Sequence, residues 1–155
     1  MVWPDDMISI ILAVVFGAAI GLEREISGKP AGLRTNVLIC LGAAVFTIIS
    51  KEMAAGLENS PTRIAAQIVT GVGFLGAGAI IRDRGGIHGL TTAATIWLVA
   101  SIGTACGAAF YTLAAVSTLI AVIILIGLAR FEKAMRRYAK EQKAKTPSDE
   151  QNQTS

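Results

Sequence analysis

Long apolar runs separated by short polar clusters set the plan of this chain. Apolar residues dominate from about Pro4 to Leu22, Leu33 to Ser50, Pro61 to Ile81, Leu90 to Cys106 and Ala108 to Ala129. Between them lie Glu23-Arg24-Glu25, then Ser27-Gly28-Lys29-Pro30, a polar connection from Lys51 to Arg63, and Arg82-Asp83-Arg84-Gly85-Gly86-Ile87-His88-Gly89. A helix rises about 1.5 Å per residue, so about 20 apolar residues cross about 30 Å of hydrocarbon. Barrel strands would alternate apolar and polar residues, whereas Leu113 to Leu128 is apolar on every side. The pattern therefore predicts an all-α fold, a polytopic membrane bundle of about five transmembrane helices. Pro4 followed by Asp5 and Asp6, and Ser60 followed by Pro61, read as helix starts, with Trp3 at the membrane interface.

Charge orients the bundle. With the N-terminus outside, the inner segments hold Arg24, Lys29, Arg34, Arg82, Arg84 and the seven basic residues Arg130, Lys133, Arg136, Arg137, Lys140, Lys143 and Lys145, against Lys51 and Arg63 outside. That bias places the C-terminus in the cytoplasm. It also explains the net charge of +3 as membrane topology and not nucleic-acid binding. The first run lacks the positive segment that opens a secretory signal, so span 1 is expected to be retained. Residues 1–130 read as the membrane domain and 131–155 as a basic, partly disordered cytoplasmic tail, its polar end running from Thr146 to Ser155.

Small residues predict how the helices meet. Gly71 and Gly78 fall on one face of span 3, and Gly73 and Gly76 on nearly the opposite one, which predicts helix packing on both sides and a central span 3. Gly71-Val72-Gly73-Phe74-Leu75-Gly76 also spells a dinucleotide-binding pattern, but it lies inside a predicted span with no carboxylate near Thr95 to Trp97, so packing is the reading. Span 5, bulky all round, is expected to face lipid. Cys40 and Cys106 have no metal-ligand spacing and read as small packing residues.

Candidate chemistry gathers at the cytoplasmic ends of spans 1, 2 and 3. Glu23, Arg24, Glu25, Arg34, Asn36, Arg82 and Asp83 are expected to meet there, beside a threonine stripe of Thr91, Thr92 and Thr95 on span 4 that points away from Trp97. Opposite charges could pair and lock the helix ends, or each side chain could snorkel to the headgroups. The threonines could line a polar recess or bond the carbonyls one turn back. Asp, Glu, Lys and His are missing from the span interiors, and neither a nucleophile with its base nor a metal cluster is evident. The reading is a non-enzyme that needs no cofactor, with metal binding left open.

Gly21-Leu22-Glu23-Arg24-Glu25, Ala31-Gly32-Leu33-Arg34-Thr35-Asn36, Gly71 to Ile81, and Gly89-Leu90-Thr91-Thr92-Ala93-Ala94-Thr95-Ile96-Trp97, in this order and spacing, resemble the MgtC/SapB family over roughly residues 7–130. The resemblance implies a bacterial inner-membrane protein linked to magnesium homeostasis and growth at low magnesium, a virulence-associated role in pathogens, and contacts with other membrane proteins such as ATP synthase or a magnesium transporter. An ion transporter or channel with a polar recess on the cytoplasmic side is the alternative, and a homo-oligomer is open. Longer members carry a soluble C-terminal domain where this chain has its basic stretch, and some have Asn where this chain has Thr91.

The charge bias gives the first test. A reporter fused after Arg130 is expected to behave as cytoplasmic, and a periplasmic signal from that fusion would refute the five-span topology.

Overall fold

A computed structural model describes residues 4–54, 63–84 and 86–145. It holds five helices, α1 (Pro4–Ile26), α2 (Leu33–Ala54), α3 (Arg63–Gly78), α4 (Leu90–Gly107) and α5 (Tyr111–Lys145), with a short antiparallel hairpin, β1 (Ile81–Asp83) and β2 (Gly86–His88), between α3 and α4. The all-α fold is as expected, with shifted boundaries. α1 runs a turn past Leu22, and α3 stops at Gly78, so Ala79 to Ile81 of predicted span 3 turn out of the helix into β1. The segment Arg82 to Gly89, expected as a loop, is largely this hairpin. Gly86 (φ 124°) and Gly89 (φ 88°) take conformations closed to most side chains, and a Cβ at Gly89 would strike the carbonyl oxygen of Ala79. The Ser60-Pro61 start, Trp3 and the Thr146 to Ser155 tail lie outside the described residues.

Among the described residues, four helices are long and apolar enough to cross a membrane, over Asp5–Ile26, Leu33–Ala54, Leu90–Gly107 and Tyr111–Phe131. α3, with 16 residues, is about 24 Å long. Its direction follows from its neighbours. Gly103 of α4 lies on Cys40 of α2, and Gly107 on Ala44 and Thr47, so both contacts advance in the same sense along the two helices. Parallel neighbours need a return between them, and α3 with its hairpin makes that return.

The core is built on α2. Gly17-Ala18-Ala19-Ile20-Gly21 of α1 and Gly103-Thr104-Ala105-Cys106-Gly107 of α4 each space two glycines one turn apart, the pattern that lets membrane helices approach backbone to backbone. A Cβ at Gly17 would stand 2.8 Å from Cys40 Cβ, one at Gly21 2.8 Å from Leu33 Cα, one at Gly103 2.9 Å from the Cys40 carbonyl carbon, and one at Gly107 2.7 Å from Thr47 Cβ. Around these contacts Ala13, Ile20, Cys40, Ala44, Val99, Ile102 and Cys106 are buried, and both cysteines are free. Hydroxyls within the helices bond the turn before, as in Thr47 to Ala43 O (2.7 Å) and Thr118 to Ala114 O (2.8 Å), which satisfies these donors within their own helix.

This corrects the expectation for span 3. A Cβ at Gly71, Gly73 or Gly78 would meet nothing within 4 Å, and only Gly76 approaches a neighbour, Ala93 of α4, at ordinary contact distance. Glycine permits close approach without causing it. The centre is α2, because glycine pairs from two other helices converge on it.

Two helices end in the same way. Lys29 N–H bonds Arg24 O and Gly28 N–H bonds Glu25 O, closing α1 with Gly28 at φ 61°. Phe110 N–H bonds Ala105 O and Ala109 N–H bonds Cys106 O, closing α4 with Ala109 at φ 65°. Both are Schellman motifs, but the second places alanine where glycine is preferred. The chain then enters α5, whose Tyr111 hydroxyl lies 3.0 Å from Ser9 Oγ and donates to Asp5 O at 3.1 Å. Ala114, Thr118 and Ala121 are buried, whereas the bulky Leu113, Val116, Leu119 and Ile120 are exposed. The chain divides into the units Met1–Val122 and Ile123–Ser155, and α5 stays helical to Lys145, well into the stretch read from sequence as a tail.

Gly17→Ala or Gly103→Ala should lower stability by about 1–3 kcal/mol through overpacking, whereas Gly73→Ala should be neutral or better. Equal responses in thermal denaturation in detergent would refute a bundle centred on α2. Ala109→Gly should stabilise by about 1 kcal/mol by relieving the left-handed alanine, and an unchanged melting temperature would argue against that closure of α4.

Candidate functional site

The last turns of α1 place charge where the bundle is closed. Gly17, Gly21 and Arg24 recur at helical spacing, so Arg24 continues the line that α1 lays on α2. Arg24 is only 4% exposed and Glu23 9%. Ser27 Oγ donates to Glu23 Oε1 at 2.7 Å, and Arg24 Nη1 stands 3.7 Å from Glu23 Oε2, within ion-pair range but too far for a hydrogen bond.

The turn from α1 to α2 is tied by two side chains. Exposed Glu25 reaches across it, its Oε2 accepting from Leu33 N–H at 3.0 Å. That amide opens α2 and has no helical partner, and a carboxylate suits the positive end of the helix. A Cβ at Gly32 would collide with the same oxygen, so glycine there makes room for the carboxylate. Asn36, wholly buried against Gly21, donates through Nδ2 to Ala31 O and to Gly32 O (2.9 Å), holding Ala31 at φ 55°.

Among the described residues, three buried side-chain atoms are left without a hydrogen-bond partner: Glu23 Oε2, Arg24 Nε and Asn36 Oδ1. Burying such groups unpaired is costly. Asn36 touches α1 at Gly21, and Arg24 comes one turn later, so all three atoms belong to the same end of the α1–α2 contact. One donor and two acceptors suit a small polar species, such as water, that accepts one bond and donates two. Glu23 and Asn36 also offer the hard oxygens that Mg²⁺ prefers, although Arg24 adds a positive charge beside them. Among the described residues no group of three His, Cys, Asp or Glu could hold a metal ion.

The ten residues expected to form one cluster separate into two sets. Glu23, Arg24, Asn36, Thr92 and Thr95 are buried, and Thr95 Oγ1 donates to Thr91 O at 2.8 Å, satisfying the hydroxyl within its own helix. Glu25, Arg34, Arg82, Asp83 and Thr91 are exposed. Of the expected pairing of Glu23, Arg24, Arg34 and Asp83, the Glu23–Arg24 contact is present, but these two are buried whereas Arg34 and Asp83 are exposed. Arg34 makes no ion pair among the described residues, because it sits on the outer side of the first turn of α2. Asp83 Oδ1 lies 3.5 Å from His88 Nε2, since the hairpin brings its two strands together. Sequence reasoning missed the Ser27–Glu23 bond, the Asp83–His88 contact and the glycine pairs that α1 and α4 set against α2. Only the glycine pairs had a visible signal, their four-residue spacing.

Against this geometry, the chain matches the model of the MgtC family over residues 10–134. Protein MgtC of Brucella abortus is 44% identical over 148 residues, covering 90% of this chain and 61% of that relative. A protein of Escherichia coli K12 described as a candidate magnesium transporter, YhiD, is 46% identical over 127 residues, covering 78% of this chain and 59% of the relative. An uncharacterized protein of Synechocystis is 40% identical over 128 residues, covering 83% and 54%. The chain thus spans between about half and three fifths of the length of these relatives. No solved structure matches it.

Removing one member of the buried pair strands the other. Arg24→Met should cost about 3–5 kcal/mol, whereas Glu23→Gln with Arg24→Met should cost far less. If the double variant melts as low as the single one in detergent, the two side chains are not energetically coupled.

Proposed function

The chain belongs to the MgtC family, and on that premise we propose that it is a non-enzymatic, multi-pass protein of the bacterial inner membrane that serves magnesium homeostasis through contacts with other membrane proteins. Its N-terminus lies outside and its C-terminus in the cytoplasm. ATP synthase or a magnesium transporter is the partner class, and the tied end of the α1–α2 pair, with Glu23, Arg24 and Asn36 inside it, is the functional site.

The observation that carries this reading is the division of the bundle into a closed core and an open side. Where α1 and α4 meet α2, the backbones nearly touch and small or apolar side chains fill the middle, which suits a rigid scaffold better than an aqueous path. On the other side, α3 presents Gly71, Gly73 and Gly78 with open space before them, and Phe74 is 81% exposed. Between α2 and α3 lies an apolar groove of about 550 Å³, with Leu38, Gly42 and Phe46 on one wall and Gln67, Gly71 and Leu75 on the other. Open glycine faces allow another membrane helix to approach closely.

Transport is the second reading, favoured by the description of the Escherichia coli relative and by the unpaired oxygens of Glu23 and Asn36. Magnesium flux into proteoliposomes above the protein-free rate would overturn the contact reading in favour of transport. Under the contact reading, the double variant Glu23→Gln with Arg24→Met should reach normal abundance in the membrane yet fail to restore growth at low magnesium. Full restoration would remove these residues from the function, and a photo-crosslinker at Phe74 that captures no other membrane protein would remove the α3 face.

A further inference from the structure

α5 is longer than a membrane crossing requires. Its 35 residues make a helix of about 52 Å, while the apolar part, Tyr111–Phe131, already covers about 30 Å of hydrocarbon. From Leu128 to Lys145 there is no glycine or proline, the residues at which helices usually bend. The residues after Phe131 therefore continue past the apolar span as unbroken helix. Yet this part carries large apolar groups in the open: Phe131 is 64% exposed, Met135 58% and Tyr138 71%.

Their spacing is informative. Leu128, Phe131, Met135, Tyr138 and Gln142 follow one another at alternating steps of three and four residues, the a and d positions of a heptad repeat. In the same register Arg130 and Arg137 fall at c, Arg136 and Lys143 at b, and Lys133 and Lys140 at f, all remote from the a/d seam. The flanking e and g positions hold Glu132, Ala134, Ala139 and Glu141. Six of the seven basic residues in this stretch are thus kept off the seam and its flanks, where like charges from two helices would repel, and Lys145, at d, lies beyond the apolar stripe, which ends at Tyr138.

We infer that this segment of α5 pairs with the same segment of a second copy of the chain as a short parallel coiled coil. Copies in one bilayer share an orientation, so the membrane itself imposes the parallel arrangement. Two heptads are too short to hold together alone in water, but anchoring both helices in one membrane makes the encounter nearly intramolecular. In a parallel pair Ala134 of one helix meets Ala139 of the other, so close approach meets neither charge nor bulk. The competing occupant is an anionic lipid surface, which the basic residues would suit, but the heptad spacing of the stripe, with six of the seven basic residues kept off the seam and its flanks, favours a second helix. The inference is independent of the proposal about magnesium.

Cross-linking of the full chain reconstituted in lipid vesicles tests it. Met135→Cys and Tyr138→Cys place thiols on the seam, and Lys140→Cys places one on the outer side. Oxidation should give a covalent dimer with either seam variant and lose it with Lys140→Cys. Adding Met135→Lys to Tyr138→Cys should abolish the dimer without lowering the amount of protein in the membrane. Equal cross-linking at all three positions, no dimer at the seam, or a dimer that survives Met135→Lys would each overturn the pairing. A polarity-sensitive probe on Tyr138→Cys that shifts to the blue with anionic but not zwitterionic vesicles, with no dimer at the seam, would assign the stripe to lipid instead.

Discussion

α2 touches the backbones of α1 and α4 only because neither helix has a side chain at the points of contact. Gly17 and Gly21 meet one side of it and Gly103 and Gly107 the other, all at separations that a single methyl group would violate. Helices in lipid gain little from burying apolar surface, since the solvent they leave is itself apolar, so close van der Waals packing has to supply the association. The three-helix core follows from that constraint. Small residues fill it, and its hydroxyls are bonded within their own helices.

The charged end depends on the same closeness. Asn36 can reach the Ala31 and Gly32 carbonyls while pressed on α1 only because Gly21 lets α2 lie against it, and Gly32 lets Glu25 reach the first amide of α2. These interactions hold the turn on the outside while Glu23 and Arg24 are enclosed beneath it. Buried charge with incomplete hydrogen bonding is poor at stabilising a fold, which is what makes this end of the bundle the candidate site.

α3 and its hairpin stand outside that constraint. The parallel arrangement of α2 and α4 demands a return strand or helix between them, and α3 supplies it without glycine contacts as close as those on α2. The result is an open face and an apolar groove beside a tightly packed core, the division on which the proposed contact role rests.

The number and order of the helices were legible in the chain alone, because a long apolar run between polar clusters has no stable state in a bilayer other than a helix. The sequence also determined which residues carry charge near the ends of spans 1 to 3, since those segments interrupt the apolar runs. Which glycines are buried was not legible. Gly73 and Gly103 look alike in a list of small residues, and only the packing of α4 on α2 distinguishes an open face from a contact. Nor could the chain announce that Arg34 turns outward while Arg24 turns in, or that Asp83 meets His88, because these depend on helix rotation and on a hairpin that local propensity did not mark. Periodicity along one helix is fixed by covalent spacing, but the face that becomes the inside is fixed by the neighbours that fold against it.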